Sequence, residues 1–89
     1  MNHKQLVAKS KVYVVSGYVR DLLRTKYGML VRASIPFCEV SPGEYVFTLT
    51  YHGEQAKVTV WIDSAPSMAV YESMANEFAS LLGVKQCTR

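Results

Sequence analysis

Two runs of strictly alternating residues meet at a short polar turn near position 53, and this pattern constrains the fold more than any other in the chain. Tyr45, Phe47, Leu49 and Tyr51 alternate with Val46, Thr48 and Thr50, and Ala56, Val58, Val60 and Ile62 alternate with Lys57, Thr59 and Trp61. Period two places successive side chains on opposite faces, so each run is a strand with one buried and one open face. With Gly53-Glu54 as the two-residue loop, glycine supplies the positive φ of a type II′ turn. That register pairs Tyr51 with Ala56, Leu49 with Val58, Phe47 with Val60 and Tyr45 with Ile62 on one face. Val46/Trp61, Thr48/Thr59 and Thr50/Lys57 then share the other. A one-residue slip would mix the faces.

Upstream, Met29 to Ile35 reads as a further strand with Val31, Ala33 and Ile35 inward, stopped by Pro36. Ser41-Pro42-Gly43-Glu44 makes the reversal, since proline suits the second and glycine the third position of a type II turn. Two helices flank this meander. Ser16 is placed to cap a helix from Gly17 to Tyr27, with Val19, Leu22 and Leu23 on one side, Arg24 and Lys26 in the last turn and Gly28 as the stop. The second starts near Asp63-Ser64-Ala65-Pro66-Ser67 and runs to Leu82, with Tyr71, Met74, Ala75, Phe78, Leu81 and Leu82 at helical spacing and Gly83 beyond. The expected fold class is α+β, a three-stranded antiparallel meander with both helices on one face in the order α-β-β-β-α. Arg32, Ser34, Val46, Thr48, Lys57, Thr59 and Trp61 are left toward solvent or a partner. Residues 1–15 form a basic segment with three readings, a mobile arm, an extra strand or a helix; 16–83 form one domain and 84–89 a tail.

At 89 residues a chain builds one core and spends most of its apolar side chains on it, which leaves little room for a deep substrate pocket. No apolar run has the length of a membrane span and the start has no signal-peptide pattern, so a cytoplasmic protein is expected. Cys38 and Cys87 lie at neither a metal spacing nor the density of a secreted framework; a reduced pair is the default, and their spacing does not decide a disulfide. His3, Cys38, His52 and Cys87 are dispersed, and no glycine-rich phosphate loop is present. Cys38, beside Phe37, reads as a small buried hydrophobe and His52 as a turn residue. These readings make the chain non-catalytic, with no cofactor and no metal.

Charge is polarised along the sequence. Residues 1–32 carry Lys4, Lys9, Lys11, Arg20, Arg24, Lys26 and Arg32 against Asp21, a net +6; residues 33–82 carry Lys57 against six carboxylates, a net −5; the last seven residues add +2. A basic half beside an acidic half suits docking on a phosphate backbone or an acidic protein surface. Arg20 and Arg24, four apart on one helix face, form a basic edge with Lys4, Lys9 and Lys11 expected nearby. Trp61, with Arg32 and Lys57, makes the outer sheet face the second candidate, because tryptophan and arginine are enriched where binding energy concentrates. The expected partner-binding residues are therefore Lys9, Lys11, Arg20, Arg24, Arg32 and Trp61.

The element order, with Ser41-Pro42-Gly43-Glu44-Tyr45-Val46-Phe47 at the first strand reversal and Asp63-Ser64-Ala65-Pro66-Ser67 leading into the last helix, resembles a double-stranded RNA-binding domain over residues 16–83. That family places a histidine in the reversal and lysines at the start of its last helix. Here those places hold Gly43 and Glu44, and Ser67-Met68-Ala69-Val70-Tyr71. In size, charge polarity and lack of a catalytic constellation the chain is also similar to small phage-encoded inhibitors of the anti-CRISPR type. That similarity implies a stoichiometric inhibitor or modulator of a protein or ribonucleoprotein complex in the host cytoplasm; the first implies direct nucleic-acid contact. A homodimer through a sheet edge is a further expectation, because a simple meander leaves its first and last strands open. No membrane partner is expected.

Overall fold

A computed structural model describes the backbone of residues 3–62 and 67–86, with side chains from residue 10 onward. The element order is α1 (His3–Tyr27), β1 (Phe37–Ser41), β2 (Glu44–Tyr51), β3 (Glu54–Trp61) and α2 (Met68–Leu81). The strands form one antiparallel sheet ordered β1-β2-β3, so the α-β-β-β-α architecture expected from the sequence is the one observed. Ala8 and the lysines and arginines favour helix, and burial of Val12 and Val15 outweighs the weak helix preference of the valine-rich run 12–15, so α1 continues without interruption through the position where a cap was expected.

Ser16 is therefore not a cap. It lies fully buried in mid-helix, and its hydroxyl donates to the Ile35 carbonyl at 2.8 Å. A serine inside a helix is free to bond outward in this way, and here it fastens the chain entering the sheet. The boundary drawn at residues 15 and 16 falls within a continuous helix, and of the three readings of residues 1–15 the helix is the one seen from His3 onward. The α1 stripe Val12, Val15, Val19 and Leu23 joins the core at three- and four-residue spacing.

The first strand lies later than expected. Residues 28–36 are irregular, with Met29, Val31 and Ile35 buried but Ala33 exposed, and β1 begins after Pro36. Proline is accommodated there as the residue before the strand: its carbonyl accepts from the Thr48 N–H at 2.9 Å, while its missing N–H removes one rung. Arg32 and Ser34 accordingly sit in this connection and not on the sheet face.

The β2–β3 register also differs. Tyr51 pairs with Glu54, Leu49 with Ala56, Phe47 with Val58, Tyr45 with Val60, Val46 with Thr59 and Glu44 with Trp61. The loop is His52-Gly53, with φ of 54° and 82°. Both central residues of a type I′ turn need positive φ, and histidine is among the side chains that tolerate it. The two-residue shift leaves every side chain on its expected face, which is why the face assignment survives and the pairings do not. At the other turn Gly43, φ 84°, holds the third position of Ser41-Pro42-Gly43-Glu44 as expected.

Helix α2 begins after Ser67, whose extended backbone stands at the N-cap without a side-chain cap bond; the expected start near 63–66 lies outside the described residues. Tyr71, Met74, Ala75, Phe78 and Ala79 face inward, whereas Leu81 is exposed. The helix closes with Val84 N–H to Ala79 O at 2.8 Å, the six-to-one bond of a Schellman ending. Tyr18 stacks on Tyr71 with ring centroids 5.0 Å apart, Lys26 pairs with Glu72 at 3.5 Å, and the Tyr27 hydroxyl donates to Asn76 at 2.9 Å. Between helices and sheet, Phe47 and Phe78 are fully buried.

Candidate functional site

Pairing fixes which side chains share the face turned away from the helices. Tyr45, Phe47, Leu49, Ala56 and Val58 are buried on the covered side. Rows Ser41–Glu44–Trp61, Cys38–Val46–Thr59 and Thr48–Lys57 lie on the other, because directly opposed residues in an antiparallel pair project together. Trp61 is 64% exposed there. Its indole packs against the first reversal: a Cβ built on Gly43 would meet the ring at 3.1 to 3.3 Å. The tryptophan is thus held in place along one edge while most of its surface remains open. Its strand partner is Glu44 rather than Val46, so the expected Val46/Trp61 pair is replaced.

This contact makes Gly43 doubly restricted. Gly43→Ala places a side chain at φ 84° and pushes it into the indole, and the left-handed conformation alone costs an L-residue about 1–2 kcal/mol. The expected result is a loss of that size or more in urea unfolding, with a blue-to-red change in the Trp61 emission as the ring is displaced. An unchanged midpoint and spectrum would contradict the placement of Trp61.

The arginines lie elsewhere. Helical phase puts Tyr13, Arg20 and Arg24 on one flank of the buried α1 stripe and Lys11 and Tyr18 on the other, while Lys26 continues the stripe at its C-terminal end. Tyr18 and Lys26 meet α2; the first flank faces β1, where Tyr13 meets Phe37 edge to face at 5.0 Å. Arg20 is half-buried, touches the adjacent Asp21 at 3.3 Å and keeps a buried Nε without a partner among the described residues, while Arg24 and Arg32 are exposed. Arg20 and Arg24 therefore belong to the helix layer and Trp61 to the opposite side of the sheet. The structure does not assemble them into one surface. Among the described residues Lys57, one row from Thr59, shares the Trp61 face. Lys11 is half-buried on α1, and the Lys9 side chain lies outside the described residues.

Cys38 is exposed on β1, contrary to its expected burial, because β1 starts two residues later than Ile35 and turns Cys38 to the open face. Cys87 lies outside the described residues. His52 stands at the far end of β2 from Cys38's partner Val46, about 20 Å away at 3.3 Å per residue, so the two cannot act on one atom. Among the described residues no group of three or more histidines, cysteines or carboxylates is placed to hold a metal ion, and no helix is long and apolar enough to cross a membrane.

Among the described residues a cleft and a groove border the sheet. A cleft of about 520 Å³ runs along β1, lined by Tyr13, Ile35, Pro36, Phe37, Glu39 and Tyr45 among others. Burial pushes the Tyr45 phenol above its ordinary value, and the adjacent Glu39 carboxylate adds to the effect by opposing a second negative charge. A shallower groove of about 280 Å³ lies between β3 and α2, between Val60 and Val70. The β1 cleft was not foreseen from the sequence, since its lining combines a strand placed after Pro36 with Tyr13, which lies in the segment where the period was ambiguous. The signal available was the apolar Phe37 and Val40 after the proline. Compared with protein-family models, with curated proteins and with solved structures, the chain matches none.

Proposed function

We propose that the chain is a non-catalytic binding module that acts as a stoichiometric inhibitor or modulator of a protein or nucleoprotein complex, with the helix-free sheet face around Trp61 as its contact surface. One observation carries this reading: an indole anchored on Gly43 yet 64% exposed, on a face no described element covers. A pre-positioned aromatic loses little side-chain freedom on binding, and tryptophans in such settings supply a large share of interface energy. Around it stand Val46, Thr48 and Thr59, with Lys57 and Glu44 as the charges of the face among the described residues. One cation offset by one anion suits a protein surface better than a phosphate backbone, which is gripped by several cations together.

Duplex RNA recognition in the manner of the double-stranded RNA-binding domains remains the alternative from the same fold order. It needs donors at the first reversal and at the start of the last helix, where this chain has Glu44 and the exposed Met68 and Ala69. Exposed Arg24 and Arg32 are what favours any nucleic-acid contact. The two readings separate in one experiment: capture from the lysate of the cell that makes the protein, with and without nuclease. A protein retained after nuclease and indifferent to moderate salt is the expected result. Loss of everything on nuclease, together with affinity for an RNA duplex that falls steeply with salt, would replace this reading with the second.

A further inference from the structure

Phe37, Cys38 and Glu39 form the open edge of the sheet, and their pairing with β2 determines what that edge presents. Thr48 N–H bonds Pro36 O, and Phe37, Cys38 and Glu39 oppose Phe47, Val46 and Tyr45. Hydrogen-bonded and non-hydrogen-bonded pairs alternate along an antiparallel ladder, so Pro36/Thr48 and Cys38/Val46 are the bonded pairs. The main-chain N–H and C=O groups of Phe37 and Glu39 consequently point away from β2. Among the described residues no backbone bond outside the sheet reaches either. The proline's missing donor faces β2 and leaves the open edge intact. Cys38, Glu39 and Val40 are exposed.

We propose that this edge pairs antiparallel with β1 of a second copy of this chain, about a two-fold axis at Cys38, to give one six-stranded sheet. The register is selected by the residues. An axis at Cys38 sets Phe37 opposite Glu39 of the other copy twice over, and these are the outward-directed pairs, so both rungs bond in both directions. An axis at Glu39 would oppose two carboxylates, which is unfavourable at directly facing positions. An axis at Phe37 would call on Ile35, which is outside the strand. The irregularity between Glu39 and Ser41 ends the pairing on one side, so the contact is short and the association weak. The cleft beside β1 leaves space along this edge for the incoming strand. Non-bonded antiparallel pairs bring Cα atoms to about 4.5 Å, inside the range a disulfide accepts, so the two Cys38 side chains meet on the open face.

Two measurements on the full chain with Cys87→Ser test the pairing. Sedimentation velocity in reductant, over roughly 0.01–1 mM, is expected to show the 10.0 kDa species giving way to one of twice that mass. Glu39→Pro, which removes an outward N–H and no bond to β2, is expected to keep the chain monomeric. Oxidised glutathione then converts two Cys38 thiols to one disulfide, releasing two reduced glutathiones. A cross-linked dimer is expected with Cys38, and at least tenfold less with Cys38→Ser/Thr50→Cys, whose thiol is equally exposed on β2. A chain monomeric throughout the range would overturn the proposal. So would a dimer that cross-links as readily through position 50, which also decides the matter if Glu39→Pro does not fold.

Discussion

Phe47→Ala is expected to bring the domain close to its unfolding limit. Phe47 has no exposed surface, sits at the centre of β2, and meets Phe37 at a centroid distance of 5.4 Å. Replacing a buried phenylalanine by alanine costs about 3–5 kcal/mol, from lost transfer energy and the cavity left behind. At 89 residues the whole stability is about 4–13 kcal/mol. Chemical denaturation should therefore show either a midpoint lowered by about a quarter or more, or no folded baseline at all. The matched control is Thr50→Ala on the open face, where the side chain is exposed and the change should stay within about 0.5 kcal/mol. Equal losses at the two positions would mean that the faces are assigned the wrong way round.

The second large effect distinguishes a continuous α1 from a helix that starts at Ser16. In the continuous helix, Gly17→Pro removes the bond from residue 17 to the Tyr13 carbonyl and drives the ring against it, a cost of about 3 kcal/mol or more. Had Ser16 been the cap, position 17 would be the first helical residue, where proline is readily accepted. Gly17→Ala supplies the opposite sign: a Cβ there meets nothing within 4 Å, so a gain of about 0.5–1 kcal/mol is expected. Circular dichroism should record the loss of helix N-terminal to residue 17 in the proline variant. A proline variant as stable as the parent would contradict the helix through Val15, Ser16 and Gly17.

These two tests fall where the sequence was most and least legible. Alternation over residues 45–62 identified the faces of β2 and β3 because period two survives any even shift in register. It could not choose between Gly53-Glu54 and His52-Gly53 as the loop, since both satisfy turn chemistry through the same glycine. Around Ser16 a local rule lost to a tertiary one. Serine before an apolar run signals a cap, yet here the Ile35 carbonyl needs a buried donor and the helix passes through. Pro36 misled in a similar way, being as compatible with the start of a strand as with its end. Trp61 was recognisable as an outward residue by parity alone. Its anchoring on Gly43 and its separation from Arg20 and Arg24 depend on register and on the layer order, which no local pattern encodes.

The claim that matters most is that the Trp61 face engages a protein partner, and the affinity of Trp61→Ala for the nuclease-resistant partner tests it most directly. The ring packs against Gly43 at the first reversal and the residue is 64% exposed, so the variant should keep its circular dichroism spectrum and unfold cooperatively. Interface tryptophans of this kind contribute about 2 kcal/mol or more, roughly a 30-fold weakening measured by calorimetry. Such a loss in a folded variant is the predicted result. A folded Trp61→Ala that binds as tightly as the parent, while reversal of Arg20 and Arg24 to glutamate abolishes binding, would contradict the account and move the contact surface to the helix layer.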